Sequence, residues 1–169
     1  MQGWLRDLGR ALGYDVWIAS NDRNRPCGAG RLGDGCLTQS PEALDGAPGA
    51  DAVRLIDVLW LERGSAGGAP GHVAGAFEVE HTTSICSGIV RLPDFALGAP
   101  NAATTGLFLV APDGRDEDVR AQLARPAFGR VADPRVRFLR YGELEQHRGV
   151  MARFGSGMKS VEAVARDPS

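Results

Sequence analysis

A chain of 169 residues with 43% hydrophobic and 24% charged positions is long enough for one domain with a real core and too short for two comfortable ones. A formal net charge of −2 excludes a whole-protein electrostatic field for nucleic acid, so any such contact must come from a local arginine patch. No apolar run approaches membrane-spanning length, and the N-terminus lacks the basic cap and apolar stretch of a signal peptide, which makes the chain a non-membrane, cytoplasmic protein by expectation. Three cysteines (Cys27, Cys36, Cys86) cannot all pair and read as reduced thiols.

In chain order, Leu5, Leu8, Ala11 and Leu12 recur at helical spacing, and Gly13 stands where a helix stops. Residues 14–20 (YDVWIAS) read as a strand. Residues 21–50 are dense in Gly, Pro, Asn and Asp and read as a mobile functional loop or a partly disordered one. Gly28, Gly30 and Gly33 match a dinucleotide fingerprint on paper, but no strand runs into them and no helix follows, so the context points to a loop.

Residues 53–61 (VRLIDVLWL) read as a strand covered on both faces, with Asp57 in its middle. Residues 62–71 form a turn region, and residues 72–81 (HVAGAFEVEH) a second strand on which Glu78 and Glu80 share a side. A helix over 82–95 opens on Thr82-Thr83-Ser84, carries Ile85, Ile89 and Leu92 as its apolar stripe, and ends near Pro93. A buried strand at 105–111, a helix at 113–123, a strand at 136–141 and a helix at 142–151 complete the order. The fold class is therefore α/β, a three-layer arrangement with a central mixed sheet flanked by helices. Residues 1–154 form the domain and residues 155–169 a flexible C-terminal tail.

Burying an unpaired charge is heavily penalised, yet Asp57 and Glu78 interrupt apolar strands, and Glu80 shares a face with Glu78. Three ionised carboxylates on one hairpin repel one another and raise each other's pKa unless a cation neutralises them. A hard divalent ion meets that demand, Mg²⁺ using one or two carboxylates with water and substrate phosphate. The bland alternative, a Glu-x-Glu on a solvated strand face, is opposed by the apolar neighbours Ala76, Phe77 and Val79. Other chemistries fare worse. A cysteine hydrolase would need Cys86 activated by His72 or His81 with no orienting third residue, and a zinc site from Cys27, Cys36 and a histidine lacks paired spacing. His81 reads as a strand-end hydrogen-bonding residue pointing away from Glu80.

An Asp on one strand, a turn, then Glu-x-(Lys or variant) on the next, followed by a helix, resembles the core of the PD-(D/E)XK restriction-endonuclease-like nucleases, over residues 2–111. More narrowly, residues 56–60 (IDVLW), 76–85 (AFEVEHTTSI) with Ser87-Gly88, 12–17 (LGYDVW) with 21–23 (NDR), and 109–113 (LVAPD) resemble a set of bacterial restriction-like proteins. The resemblance implies a Mg²⁺-dependent DNA endonuclease in which Mn²⁺ can substitute, with a restriction or genome-defence role. Asp57, Glu78 and the Val79 carbonyl would be metal ligands. Glu80 replaces the family's usual lysine and would be a further ligand or water-positioning base. Arg91, on the polar side of the following helix with Ser84 and Gly88, is the candidate to supply the missing positive charge. Arg91, Arg23 and Ser84 are candidate phosphate or DNA contacts, with Arg25, Arg31 and Arg115 as further arginines outside the core.

Asp7 would stand in for an acidic residue that related proteins carry in the first helix, in poor register. The chain is accordingly expected to be the catalytic part of a longer protein or of a multi-subunit system, and a homodimer is expected because nucleases of this kind often cut both strands as dimers. The alternative is a catalytically inactive nuclease-fold module for DNA binding or complex assembly.

Overall fold

The computed structural model describes residues 1–39, 54–64, 71–81, 85–98, 104–125 and 136–167, with the backbone alone at 85–87. Ser84 and its neighbours 82–83, residues 40–50 of the long loop, and the Cys86 side chain thus lie outside the described residues.

Helix α1 (Gln2–Ala11) buries Leu5 and Leu8, and Gly13 at φ 91° turns the chain into strand β1 (Asp15–Ile18). The first part of the long loop is ordered around a two-stranded ribbon, β2 (Pro26–Cys27) with β3 (Gly30–Arg31), turned at Gly28, whose φ is 61°. Leu32 is buried behind it, so the Gly28/Gly30/Gly33 pattern serves a packed hairpin.

Strands β4 (Val58–Leu61) and β5 (Val73–Val79) form the expected antiparallel hairpin. The strand expected over 53–61 is shorter. Residues 54–57 are turn and bend, and Asp57 stands immediately before β4, not within it. The register that pairs Val58 with Phe77 would next offer the Val79 N–H to the main chain of residue 56; that N–H donates instead to Asp57 Oδ2 at 2.7 Å. An apolar run cannot reveal that a side chain has replaced a ladder bond.

Helix α2 (Ile85–Gly98) runs through Pro93 and does not stop there. The proline forfeits one helical hydrogen bond, but Leu92 and Phe95 on either side of it are both buried against the sheet, which holds the helix together across the gap. Strand β6 (Gly106–Ala111), a 3₁₀ turn at Asp113–Arg115, helix α3 (Asp116–Leu123), strand β7 (Val136–Arg140) and helix α4 (Tyr141–Phe154) follow. Three acidic residues in the first turn of α3 suit the positive end of its dipole.

The sheet order is β1-β4-β5-β6-β7, antiparallel up to β5 and parallel from β5 to β7. One face buries Ile89, Leu92 and Phe95 of α2 and Val119 of α3. The other buries Leu5 and Leu8 of α1 and Leu144 and Met151 of α4. Where a loose tail is expected after Phe154, the chain forms helix α5 (Met158–Glu162), buries Val161 completely and pairs Arg166 with Phe138. No described helix is long and apolar enough to cross a membrane.

The α1 layer rests on an aromatic row: Tyr14, Trp60, Phe77 and Phe108 follow one another at centroid separations of 5.5, 4.5 and 4.9 Å, stacked except where Phe77 tilts 48° against Trp60. Trp60 Nε1 donates to the Leu5 carbonyl at 3.1 Å, and a Cβ on Gly9 would lie 2.5 Å from that nitrogen. Gly9→Val should therefore destabilise the fold by about 1–3 kcal/mol, read as a lower urea midpoint at unchanged m-value.

Candidate active site

Ala76 faces the α2 layer, so Glu78 and Glu80, two and four residues on, emerge on that same side. Glu78 is 1% exposed. It is held by Arg91 in a two-pronged ion pair, Nε to Oε1 and Nη2 to Oε2, both at 2.8 Å. Gly88, one turn before Arg91, supplies the room for this approach. A Cβ there would lie 2.8 Å from Glu80 Oε1 and 3.1 Å from the Glu78 Cβ. The Gly88 N–H donates to Glu80 Oε1 at 3.2 Å.

Burial is the main electrostatic influence on both central carboxyls. It pushes Asp57 up to about 6, against the Val79 N–H that favours the ionised form, and the nearby Asp22 adds to the rise. Burial pushes Glu78 up to about 8, with Arg91 pulling it down and the charges of Asp57 and Glu80 adding to the rise. Of the mutual repulsion expected from the sequence, the part on Glu78 from Asp57 and Glu80 is present, behind desolvation and the Arg91 contact; the like charge acting on Asp57 is that of Asp22.

Two groups that sequence reasoning missed complete the surroundings of Asp57. Gln2, at the start of α1 and buried, donates from Nε2 to Asp22 Oδ2 at 2.7 Å and also hydrogen-bonds Asp57. Asp22 follows β1 in the Asn-Asp-Arg string and is further held by Arg25 at 3.3 Å. Asp7, the expected first-helix carboxylate, is 60% exposed and paired with Arg6 at 2.7 Å; α1 brings Gln2 to the site instead. A helix presents a single stripe inward, and Asp7 lies off the one that carries Gln2.

Tyr141 was also missed. Its hydroxyl donates to the Glu80 carbonyl at 3.1 Å and lies 2.9 Å from His81 Nδ1. Burial, followed by the charges of Glu80 and Asp57, pushes the phenol up to about 12, so it stays protonated as a donor. Tyr141 begins a helix, and only the parallel pairing of β5, β6 and β7 brings that end beside the end of β5.

Of the arginines singled out, Arg91 alone contacts the central carboxylates. Arg23 donates to the Leu37 and Thr38 carbonyls at 2.7 and 3.0 Å and covers Trp17, tying down the loop. Arg31 is engaged with Asn24, and Arg115 with Asp118. Cys27 and Cys36 are free thiols. Among the described residues no three Asp, Glu, His or Cys side chains are gathered tightly enough to grip an ion as they stand. Each carboxylate of the cluster is turned onto a protein donor: Asp57 onto Val79, Glu78 onto Arg91, Glu80 onto Gly88.

The sequence matches the family model of the type II restriction enzyme NmeDI C-terminal domain over residues 1–163. It is 30% identical over 129 residues to the type II restriction enzyme NmeDI of Neisseria meningitidis serogroup C. That alignment covers 73% of this chain and 35% of the relative, so the chain spans about a third of the length of the curated relative it matches. No solved structure gives a significant match.

Proposed function

The chain belongs to the family of the type II restriction enzyme NmeDI C-terminal domain, and from that premise we propose that it is a PD-(D/E)XK-type nuclease domain hydrolysing phosphodiester bonds in DNA with Mg²⁺, or Mn²⁺ in its place. One observation carries the reading: Glu78, a carboxylate 1% exposed inside the sheet, sits with Asp57 at the end of one hairpin, on the side that α2 approaches closely at Gly88. The donor set suits a hard ion. Asp57 and Glu78 would hold it, and the Val79 carbonyl would be the third ligand. The N–H and C=O of a strand residue leave on the same side, and the Val79 N–H points at Asp57.

When bound, the ion supplies charge stabilisation for the phosphoryl oxygens and lowers the pKa of an attacking water. The chain does the rest. Glu80 stands where the family's lysine would be and would orient the water or add a ligand, its main chain fixed by Tyr141 and its carboxylate by Gly88. Arg91 would offset phosphate charge, while Gln2 keeps Asp57 and Asp22 apart by bridging them. DNA is the proposed substrate, the cytoplasm the proposed compartment, and a homodimer or a longer multi-part enzyme the proposed assembly.

A second reading is favoured by one observation. A two-pronged arginine is itself a way to keep a buried glutamate without metal, as a non-catalytic DNA-binding or assembly module would. Plasmid DNA separates the two. The nuclease reading expects nicked and linear product with Mg²⁺ and none with EDTA; intact plasmid over a range of Mg²⁺ and Mn²⁺ concentrations would leave the inactive module.

A further inference from the structure

We infer that Arg91 is a movable clamp that competes with the metal for Glu78, so that the site loads by exchanging a guanidinium for an ion. This rests on the metal-site reading above and adds to it an order of events.

Both Glu78 oxygens are taken by Arg91 at 2.8 Å, and Glu78 is 1% exposed, so it reaches no other cation until that pair opens. The two partners differ in freedom. Glu78 projects from a strand hydrogen-bonded on both sides, whereas the Arg91 side chain is 28% exposed at the end of a long stem on α2. A buried carboxylate stripped of its paired cation is strongly disfavoured, so Arg91 does not leave Glu78 bare. It leaves when another cation takes its place. Asp57 and the Val79 main chain already flank the position that cation would take.

The released guanidinium remains beside Asp57 and Glu80 at the exposed side of the cluster, where a phosphodiester bound to the ion would lie. Arg91 is then a phosphate contact only once the site is loaded.

Calorimetric titration of the full chain with Mn²⁺ tests the exchange. Arg91→Gln should bind the ion at least about tenfold tighter than the parent, and Arg91→Lys, which keeps a charge but loses the two-pronged fit, should fall between. Asp57→Asn should lose binding. A fluorescent mixed-sequence duplex gives the second readout. In Ca²⁺, which takes the same oxygen ligands, the parent should bind it several-fold tighter than Arg91→Gln, and Ca²⁺ should strengthen binding by the parent more than by the variant. Equal Mn²⁺ affinity across the Arg91 series overturns the clamp while Asp57→Asn still reports on the metal site. The same gain in duplex binding from Ca²⁺ for the parent and Arg91→Gln also overturns it. If neither the parent nor any Arg91 variant binds Mn²⁺, the metal-site reading falls with it. Should Arg91→Gln fail to fold, the parent and Arg91→Lys carry the comparison.

Discussion

Replacing Asp57 by Asn should abolish metal-dependent cleavage, by about 10³-fold or more, without unfolding the protein. An ion in such a site supplies several kcal/mol of transition-state stabilisation, and each 1.36 kcal/mol is a factor of ten. The amide keeps an oxygen to accept the Val79 N–H, which now donates to Asp57 at 2.7 Å, so the local backbone is preserved. It also removes a charge that burial disfavours and that Asp22 repels. The metal-free variant should therefore be as stable as the parent or more so. Glu78→Gln should behave similarly, since the amide oxygen can still receive one Arg91 hydrogen bond. The measurement is a pair: plasmid cleavage rate and urea midpoint for each variant. Loss of activity together with a large loss of stability would mean that these carboxylates only hold the fold.

Stability without metal should fall as pH rises from about 4 to about 8. Both carboxyls are raised in the folded state, Asp57 to about 6 and Glu78 to about 8, so the native protein binds protons more tightly than the unfolded chain. Below the unfolded values near pH 4 both states are protonated and there is no penalty. The penalty sets in above those values and is complete above about 6 for Asp57 and above about 8 for Glu78. With the partial exposure of Asp57 discounted, the change amounts to several kcal/mol. The Asp57→Asn/Glu78→Gln double variant should flatten the slope. Mn²⁺ should also shrink it, because ligation favours the ionised carboxylates. An unchanged slope in the double variant would place the pH dependence elsewhere.

The sequence made the layer order and the hairpin legible because apolar alternation records which residues face a sheet's cover. It made Asp57 and Glu78 legible for the opposite reason, since each breaks such a pattern. What it could not show is how their charges are met. Arg91 lies thirteen residues from Glu78 in sequence, and its two-pronged contact depends on how closely Gly88 lets α2 approach. Gln2 and Asp22 carry no periodic signal and are joined only by the packing of α1 beside the end of β1. The local chemistry of Pro93 predicts a helix stop; Leu92 and Phe95, buried on both sides of it, outweigh that preference. In the C-terminal segment, one buried Val161 among Gly and Ser was too weak a signal for a helix that docks.

The most direct test of the buried carboxylates as a metal site is anomalous diffraction from a crystal soaked in Mn²⁺. The expected result is one strong peak about 2.1 Å from oxygens of Asp57, Glu78 and the Val79 carbonyl, with Arg91 swung off Glu78. A saturated soak with no peak there, and Arg91 still paired to both Glu78 oxygens, would contradict it.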